Sequence, residues 1–204
     1  FEEQINRPER FRAIGWDAKQ IVTTLLNMEK PILCRMNGAA AGLGATIALL
    51  CDIIIADETA KIGDPHVKVG LVAGDGGALI WPQLIGFAKA KELLMTGDLL
   101  SAKEAERLGL INYAVPAADL DAKVAELVAK LQANPKWAVR WTKTTANIPL
   151  RRPAHGCQHR LGKRLELYGR PARGRGGVQG KTRAKADGRL TCASARPAIT
   201  NSRS

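Results

Sequence analysis

The chain has 204 residues, 46% of them hydrophobic, which is enough apolar sequence for a buried core and excludes global disorder. Its formal net charge is +12, but residues 1–150 carry 17 basic and 17 acidic side chains, whereas residues 151–204 carry 14 and 2. The charge therefore points to a nucleic-acid or membrane-surface partner only for the last quarter. No apolar run reaches the ~18 residues of a membrane-spanning helix.

Hydrophobic periodicity predicts helices and strands that alternate along the first 134 residues. In chain order these are a helix over 13–28, a strand over 31–36, a helix over 45–50, a strand over 52–56, a helical stretch through 79–85, a helix from 101, a strand over 111–115 and a helix over 119–134. Ser101 and Glu104 form the S-x-x-E pattern of a capping box, and Gly109 stands where a helix C-terminal glycine belongs. The alternation favours an α/β fold.

Two glycine-rich stretches stand out as candidate sites. Residues 37–44, NGAAAGLG, fall between a predicted strand and a predicted helix, where free backbone N–H groups can stabilise an anion. Close packing of a helix on a sheet would require the same small residues. Residues 63–77 contain five glycines and place His66 between Asp64 and Asp75, so this histidine is either an acid-base group or a structural residue.

Several other chemistries find no support. Ser101 is the only serine before residue 194 and has a capping role, so a serine nucleophile is not expected. There is no phosphate-binding glycine motif after a strand. Cys34 and Cys51 lie in apolar runs and are predicted to be reduced core thiols. His155, Cys157 and His159 lie in the basic tail without acidic partners, so no metal site is predicted.

The run from Lys30 to Gly77, with the later blocks TGD, SAKEA and GLI, resembles the enoyl-CoA hydratase/isomerase family, also called the crotonase family. The resemblance covers about residues 12–148. It implies a fold of repeated ββα units, with a stacked sheet and surrounding helices, over a partial core domain at 1–150. It also implies chemistry on an acyl-CoA thioester whose enolate oxygen is held by two backbone N–H groups.

The resemblance assigns site residues by position. One oxyanion donor corresponds to the backbone N–H of Leu43, and the other falls upstream of residue 1. Ala41, Gly42 and Gly74 are expected to contribute to substrate binding. Thr46 and His66 occupy the positions of the family's two hydratase glutamates. Since His66 can transfer a proton and Thr46 is not an acid near neutral pH, proton-shift chemistry is favoured over hydration.

Asp75 is a further catalytic candidate. The aspartate of some family members aligns one residue earlier, at Gly74, so Asp75 is either catalytic or a favourable acid at a helix N-terminus.

Further expectations concern partners and location. The resemblance implies a homotrimer or hexamer, with no cofactor other than the coenzyme A of the substrate. The predicted reduced thiols favour the cytoplasm, and no metal is expected. The alternatives are a catalytically impaired or non-enzymatic family member, and a nucleic-acid binder acting through the basic tail, which is disfavoured because Tyr168 is the tail's only aromatic residue. The Arg/Gly-rich tail at 151–204 is expected to be disordered or out of frame, on a chain that lacks its family's N-terminal segment.

Overall fold

The computed structural model describes the backbone of residues 8–151 and the side chains of residues 15–151. Within that range the chain forms helices and short strands, so the predicted α/β class is confirmed. In chain order the elements are α1 (Pro8–Asn27), β1 (Leu33–Met36), β2 (Ala40–Ala41), α2 (Leu43–Leu49), β3 (Ile53–Asp57), β4 (Lys61–Gly63), a 3₁₀ turn (Pro65–Val69), α3 (Gly77–Thr96), β5 (Leu99–Ser101), α4 (Ala102–Arg107), β6 (Tyr113–Val115), a second 3₁₀ turn (Ala117–Asp119), α5 (Leu120–Gln132) and α6 (Lys136–Ala146). The predictions for the tail beyond Arg151 lie outside the described residues.

The described strands form two three-stranded sheets. In the first, β3 lies between β1 and β6 and is parallel to both. In the second, β4 pairs in parallel with β2 and antiparallel with β5. The segments β1-β2-α2 and β3-β4-α3 are two successive strand-strand-helix units, as the resemblance implies. The third unit departs from that order, because α4 separates β5 from β6.

The core consists of two hydrophobic clusters. The larger joins α1, α2, β4 and α3, and Val22, Ile62 and Trp81 are fully buried within it. The smaller forms where α5 packs against the first sheet, around Ile55 and Leu120. Burial of the predicted apolar stripe of α5 therefore fixes this helix to β3.

The ends of α4 follow the predicted signals in part. The Ser101 hydroxyl accepts a hydrogen bond from the Glu104 backbone N–H at 3.2 Å, which satisfies one free donor of the helix start. The Glu104 side chain instead binds Arg107, at 2.6 and 2.8 Å, so the capping box is only half formed. Gly109 has φ of 77°, the left-handed conformation expected just past a helix end.

Two helices differ from the sequence prediction. The stretch predicted at 79–85 belongs to a longer helix, α3, which breaks at Gly86, where φ is 76° and ψ is 160°. Helix α6 was not predicted, since much of its surface is exposed and its anchor is polar: Lys143 is buried, bonded to Asp52 at 2.7 Å and to the Lys30 carbonyl at 2.9 Å. Among the described helices none is long and apolar enough to cross a membrane.

Candidate active site

The site begins where β4 ends and the chain turns. Asp64 caps the 3₁₀ turn that follows, accepting the backbone N–H of His66 at 3.3 Å. The same carboxylate oxygen, Oδ1, lies 2.5 Å from His66 Nδ1. Asp64 has only 1% of its side chain exposed, whereas His66 keeps 21% exposed. A buried carboxylate therefore holds one edge of an imidazole that is still reachable from solvent.

This contact determines the tautomer of His66. An ionised carboxylate can only accept a hydrogen bond, so Nδ1–H is the donor and Asp64 Oδ1 is the acceptor. When the imidazole is neutral, Nε2 is then left with its lone pair free. A carboxylate that orients a histidine in this way is the usual support of a general base.

Asp75 faces the other edge of the imidazole. Its Oδ2 lies 3.6 Å from His66 Nε2, and its Oδ1 accepts hydrogen bonds from the Thr46 hydroxyl at 3.2 Å and the Gly77 backbone N–H at 3.4 Å. Thr46 is fully buried on α2, and Gly77 is the first residue of α3. The carboxylate is thus fixed from two elements and aimed at the free nitrogen of His66.

Glycine allows these groups to approach one another. Gly42 has φ of 55°, and a Cβ there would lie 3.1 Å from Cε1 of His66, so the imidazole packs directly on the backbone that precedes Leu43. Gly76 has φ of 123°, and a Cβ there would lie 2.7 Å from the methyl group of Thr46. The Gly42 N–H donates to the Gly63 carbonyl at 3.1 Å, which holds the two glycine-rich stretches together.

The charges of the site perturb one another. The hydrogen bond that His66 donates to Asp64 raises the pKa of His66 above its ordinary value. The negative charge of Asp75 acts in the same direction, and burial opposes both. Burial raises the pKa of Asp75, with the charge of Asp64 adding to the effect. In the described part of the chain neither Asp64 Oδ2 nor Asp75 Oδ2 has a hydrogen-bond partner. The raised pKa values of His66 and Asp75 favour the protonated form of each group. This suits side chains that take up a proton and then return it.

Within the part of the chain that the structure describes, three residues of this site form a group that could hold a cation. Asp64, His66 and Asp75 can bring one ligand atom each within 4.8 Å of one another. Nδ1 of His66 is already hydrogen-bonded to Asp64, so it is not available to a cation. The atoms that face each other as possible ligands are Nε2 of His66 and the carboxylate of Asp75. That no metal is used remains a prediction.

The structure brings together all three residues predicted as catalytic: Thr46, His66 and Asp75. Thr46 reaches His66 through Asp75, since its hydroxyl bonds to that carboxylate. Leu43 is the first residue of α2 and follows Gly42, against which the imidazole of His66 packs. The first N–H groups of a helix have no hydrogen-bond partner within that helix.

The residues predicted for substrate binding lie beside the same groups. Gly42 contacts the His66 ring, Ala41 pairs with Gly63 between β2 and β4, and Gly74 precedes Asp75 and donates its N–H to the Val72 carbonyl at 2.6 Å. Their role in substrate binding stays a prediction.

Asp64 is the member of the candidate site to which the sequence analysis assigned no role. The signal was present, because an aspartate two residues before a histidine in a tight turn can reach its imidazole. Asp64 could equally have been only a turn-capping residue, and in fact it does both. Nothing in the sequence showed that its carboxylate would be buried.

Residues 1–166 match the model of the enoyl-CoA hydratase/isomerase family. The match covers most of the chain, so the chain belongs to the enoyl-CoA hydratase/isomerase family. The match extends beyond residue 148, the end of the stretch over which the sequence motifs resemble the family.

Curated relatives and solved structures agree with this assignment. A crotonyl-CoA hydratase of Syntrophomonas wolfei is 37% identical over 136 residues, 67% of this chain and 52% of that protein. A short-chain-enoyl-CoA hydratase of Clostridioides difficile is 41% identical over 60% of this chain and 78% of its own. The crystal structure of an enoyl-CoA hydratase/isomerase from Mycobacterium paratuberculosis matches with a TM-score of 0.76 and 33% identity, over 82% of this chain and 67% of that one. The crotonase-type fold is thus confirmed, and the chain spans about half the length of the first of these relatives.

Proposed function

We propose that this chain carries the catalytic part of an acyl-CoA-binding enzyme that moves a proton between two carbons of an unsaturated acyl thioester. The observation that carries the proposal is the imidazole of His66, held at Nδ1 by Asp64 and free at Nε2, beside the start of α2. The family supplies the substrate class, since named relatives act on short-chain enoyl-CoA and crotonyl-CoA.

The proposed reaction uses one base and one backbone donor. His66 Nε2 removes a proton from the α-carbon of a β,γ-unsaturated thioester, and the negative charge moves to the carbonyl oxygen. The Leu43 N–H stabilises that oxygen, as a positioned backbone donor does in acyl-transfer sites. The imidazolium, stabilised by Asp64 and Asp75, then returns the proton at the γ-carbon, which leaves the double bond conjugated with the thioester.

Hydration is the second candidate, and one contact favours it. Asp75 places a carboxylate 3.6 Å from His66 Nε2, so two acid-base groups face each other although neither hydratase glutamate position holds a carboxylate. The pair could activate water with one group and protonate the α-carbon with the other. The raised pKa of Asp75 suits the acid role in that scheme.

The discriminating experiment offers the protein two substrates in separate assays, a β,γ-unsaturated and an α,β-unsaturated short-chain acyl-CoA. Proton-shift chemistry predicts growth of the conjugated thioester absorbance from the first, with little loss of absorbance from the second. Faster loss from the second would establish hydration instead. No turnover of either, with binding retained in calorimetry, would support a non-enzymatic family member.

Leu43 provides a matched pair of variants for the same assay. Proline is tolerated at the first position of a helix and lacks the N–H, whereas alanine keeps it. Leu43→Pro is expected to lower the rate about 10²–10³-fold, the usual effect of removing an oxyanion donor, while Leu43→Ala retains the donor. Equal activity of the two variants, with circular dichroism showing both folded, would contradict the role of this N–H.

The proposal extends to assembly and location. Large apolar side chains are exposed on several described elements, including Trp16 at 60%, Phe87 at 66% and Trp141 at 62%, and such surfaces suit contact with further copies of the chain. They support the homotrimer or hexamer implied by the resemblance. The free thiols of Cys34 and Cys51 are compatible with the cytoplasm, where thiols are kept reduced.

A further inference from the structure

A cavity lies where α5 ends, α6 begins and the chain enters β1. Its volume is about 450 Å³, within the range of roughly 300–1,000 Å³ that is typical of small-molecule sites. Its described lining comes from all three segments: Lys30, Pro31, Leu33, Val128, Leu131, Gln132, Asn134, Lys136, Val139 and Arg140. We refer to this space as the basic cavity.

The charged side chains that line the basic cavity all have the same sign. They are Lys30, Lys136 and Arg140, and its described lining contains no aspartate or glutamate. Lys136 and Arg140 are four positions apart on α6, so they lie on the same side of the helix. Both cations lie over the ring of Trp137, at 5.6 and 4.7 Å from its centre. The cavity therefore attracts an anion.

Arg140 has a hydrogen-bond donor that no described residue uses. Its Nη2 donates to Glu29 Oε2 at 2.7 Å, which offsets one of the three positive charges. Its Nε is buried and has no partner in the part of the chain that the structure describes. The side chain as a whole is 19% exposed. Since a buried N–H without an acceptor is unfavourable, a carboxylate oxygen of a ligand would stabilise it through a charge-assisted hydrogen bond.

The remaining wall of the basic cavity is mainly apolar and is not fully covered by the protein. The apolar side chains on this wall are all only partly buried: Pro31, Leu33, Val128, Leu131 and Val139. A second cavity of about 610 Å³ adjoins the first, because the two share four lining residues: Pro31, Leu131, Asn134 and Val139. Its described lining is also mainly apolar, and its charged residues, Asp52 and Lys143, pair with each other at 2.7 Å. An apolar chain thus has room to continue from the first cavity into the second.

We propose that the basic cavity binds a fatty carboxylate, an anion with an unbranched alkyl chain. The carboxylate accepts the free Nε–H of Arg140 beside the ammonium group of Lys136, and the alkyl chain covers the apolar wall. A small polar anion would leave that wall exposed, and a neutral apolar molecule would leave Nε without an acceptor. The site is separate from the Asp64–His66–Asp75 group, none of whose members lines either cavity, and it does not depend on the proposed function.

The test measures binding to the full chain by calorimetry with three probes: octanoate, acetate and 1-octanol. Acetate has the head group without the chain, and 1-octanol has the chain without the charge. Octanoate is expected to bind at least ~10-fold more tightly than either. From hexanoate to octanoate to decanoate, each added CH₂ should tighten binding about three- to four-fold, the effect of burying one methylene. Equal affinity for octanoate and 1-octanol, or no dependence on chain length, would overturn the proposal.

Two substitutions place the head group. Arg140→Gln is expected to weaken octanoate binding at least ~10-fold and to leave 1-octanol binding unchanged. Arg107→Gln is the matched control, because this arginine of α4 also binds a glutamate through Nη2, Glu104 at 2.6 Å, and lines neither cavity. Lys136→Gln, at an exposed position, should weaken octanoate binding about 2–5-fold, so it keeps the test valid if circular dichroism shows that Arg140→Gln does not fold.

The same measurements identify binding at a different place. Octanoate that retains its affinity in the folded Arg140→Gln and Lys136→Gln variants would overturn the site. Displacement of octanoate by crotonyl-CoA, with no effect of either substitution, would place the fatty carboxylate in the candidate active site instead. Equal weakening by Arg107→Gln and Arg140→Gln would show a general effect of charge and would contradict a specific contact with Arg140.

Discussion

Replacing His66 with alanine is expected to lower the chemical rate about 10²–10⁴-fold, the usual contribution of a positioned acid or base. Binding of the acyl-CoA should change much less, because the proposed oxyanion donor is the backbone of Leu43, which the substitution leaves in place. Single-turnover rates and calorimetric affinities, measured on the same preparation, separate the two effects. A fully active His66→Ala enzyme would move the base assignment to Asp75.

The pH dependence of the same rate follows from the Asp64 contact. Only neutral imidazole is a base, so the rate falls as the pH falls through the pKa of His66. Since that pKa is raised by Asp64, the midpoint is expected above the ordinary value of 6.5. Asp64→Asn keeps the shape of the side chain but removes its charge, which weakens the hydrogen bond to His66. The midpoint of the pH–rate profile of this variant should therefore move to lower pH. An unchanged midpoint would show that Asp64 does not act through His66.

Gly77→Ala is expected to reduce the free energy of unfolding by about 1–3 kcal/mol, the usual cost of overpacking a close-packed site. A Cβ at this position would overlap Oδ2 of the buried Asp64 carboxylate and lie 3.2 Å from the Ala73 side chain. The carboxylate would have to move, and its contact with His66 would weaken. Urea unfolding measures the change in stability, and the His66-dependent rate should fall in parallel.

Gly15→Ala is the matched control for that substitution. Gly15 is an exposed residue of α1, and a Cβ there would meet no atom within 4 Å. Alanine is the better helix former by up to ~1 kcal/mol, so this variant should be as stable as the parent or more stable. A Gly77→Ala protein that also gains stability would show that the packing around Asp64 tolerates a methyl group.

Much of the fold was predictable from local sequence. The β-branched run at 52–56 predicted the central strand, which the structure has at Ile53–Asp57, and Ser101 and Gly109 marked the ends of α4. These signals are local, because they rest on side-chain periodicity and on how single residues satisfy a helix end. Helix α6 was not predicted because it is anchored by an ion pair between Lys143 and Asp52. These residues are far apart in the sequence, so no local pattern indicates the contact.

The sequence predicted most residues of the candidate site, but it did not predict the hydrogen bonds that join them. The resemblance assigned Thr46 and His66, and the loop composition added Asp75. That Thr46 bonds to Asp75 across 29 positions, and that Asp64 rather than a solvent molecule holds Nδ1 of His66, depends on how β4, α2 and α3 meet. The burial of these side chains and the distances between residues of separate elements determine the acid-base properties of the site. A single sequence gives neither the burial nor the distances.

The tautomer of His66 tests the central claim most directly. Two-bond ¹H–¹⁵N correlations of the imidazole, recorded through a pH titration, report which nitrogen carries the proton in the neutral ring and at what pH the ring titrates. The structure predicts the proton on Nδ1, bonded to Asp64, and a pKa above 6.5. A neutral ring protonated at Nε2, or a pKa below that value, would contradict His66 as an Asp64-supported base.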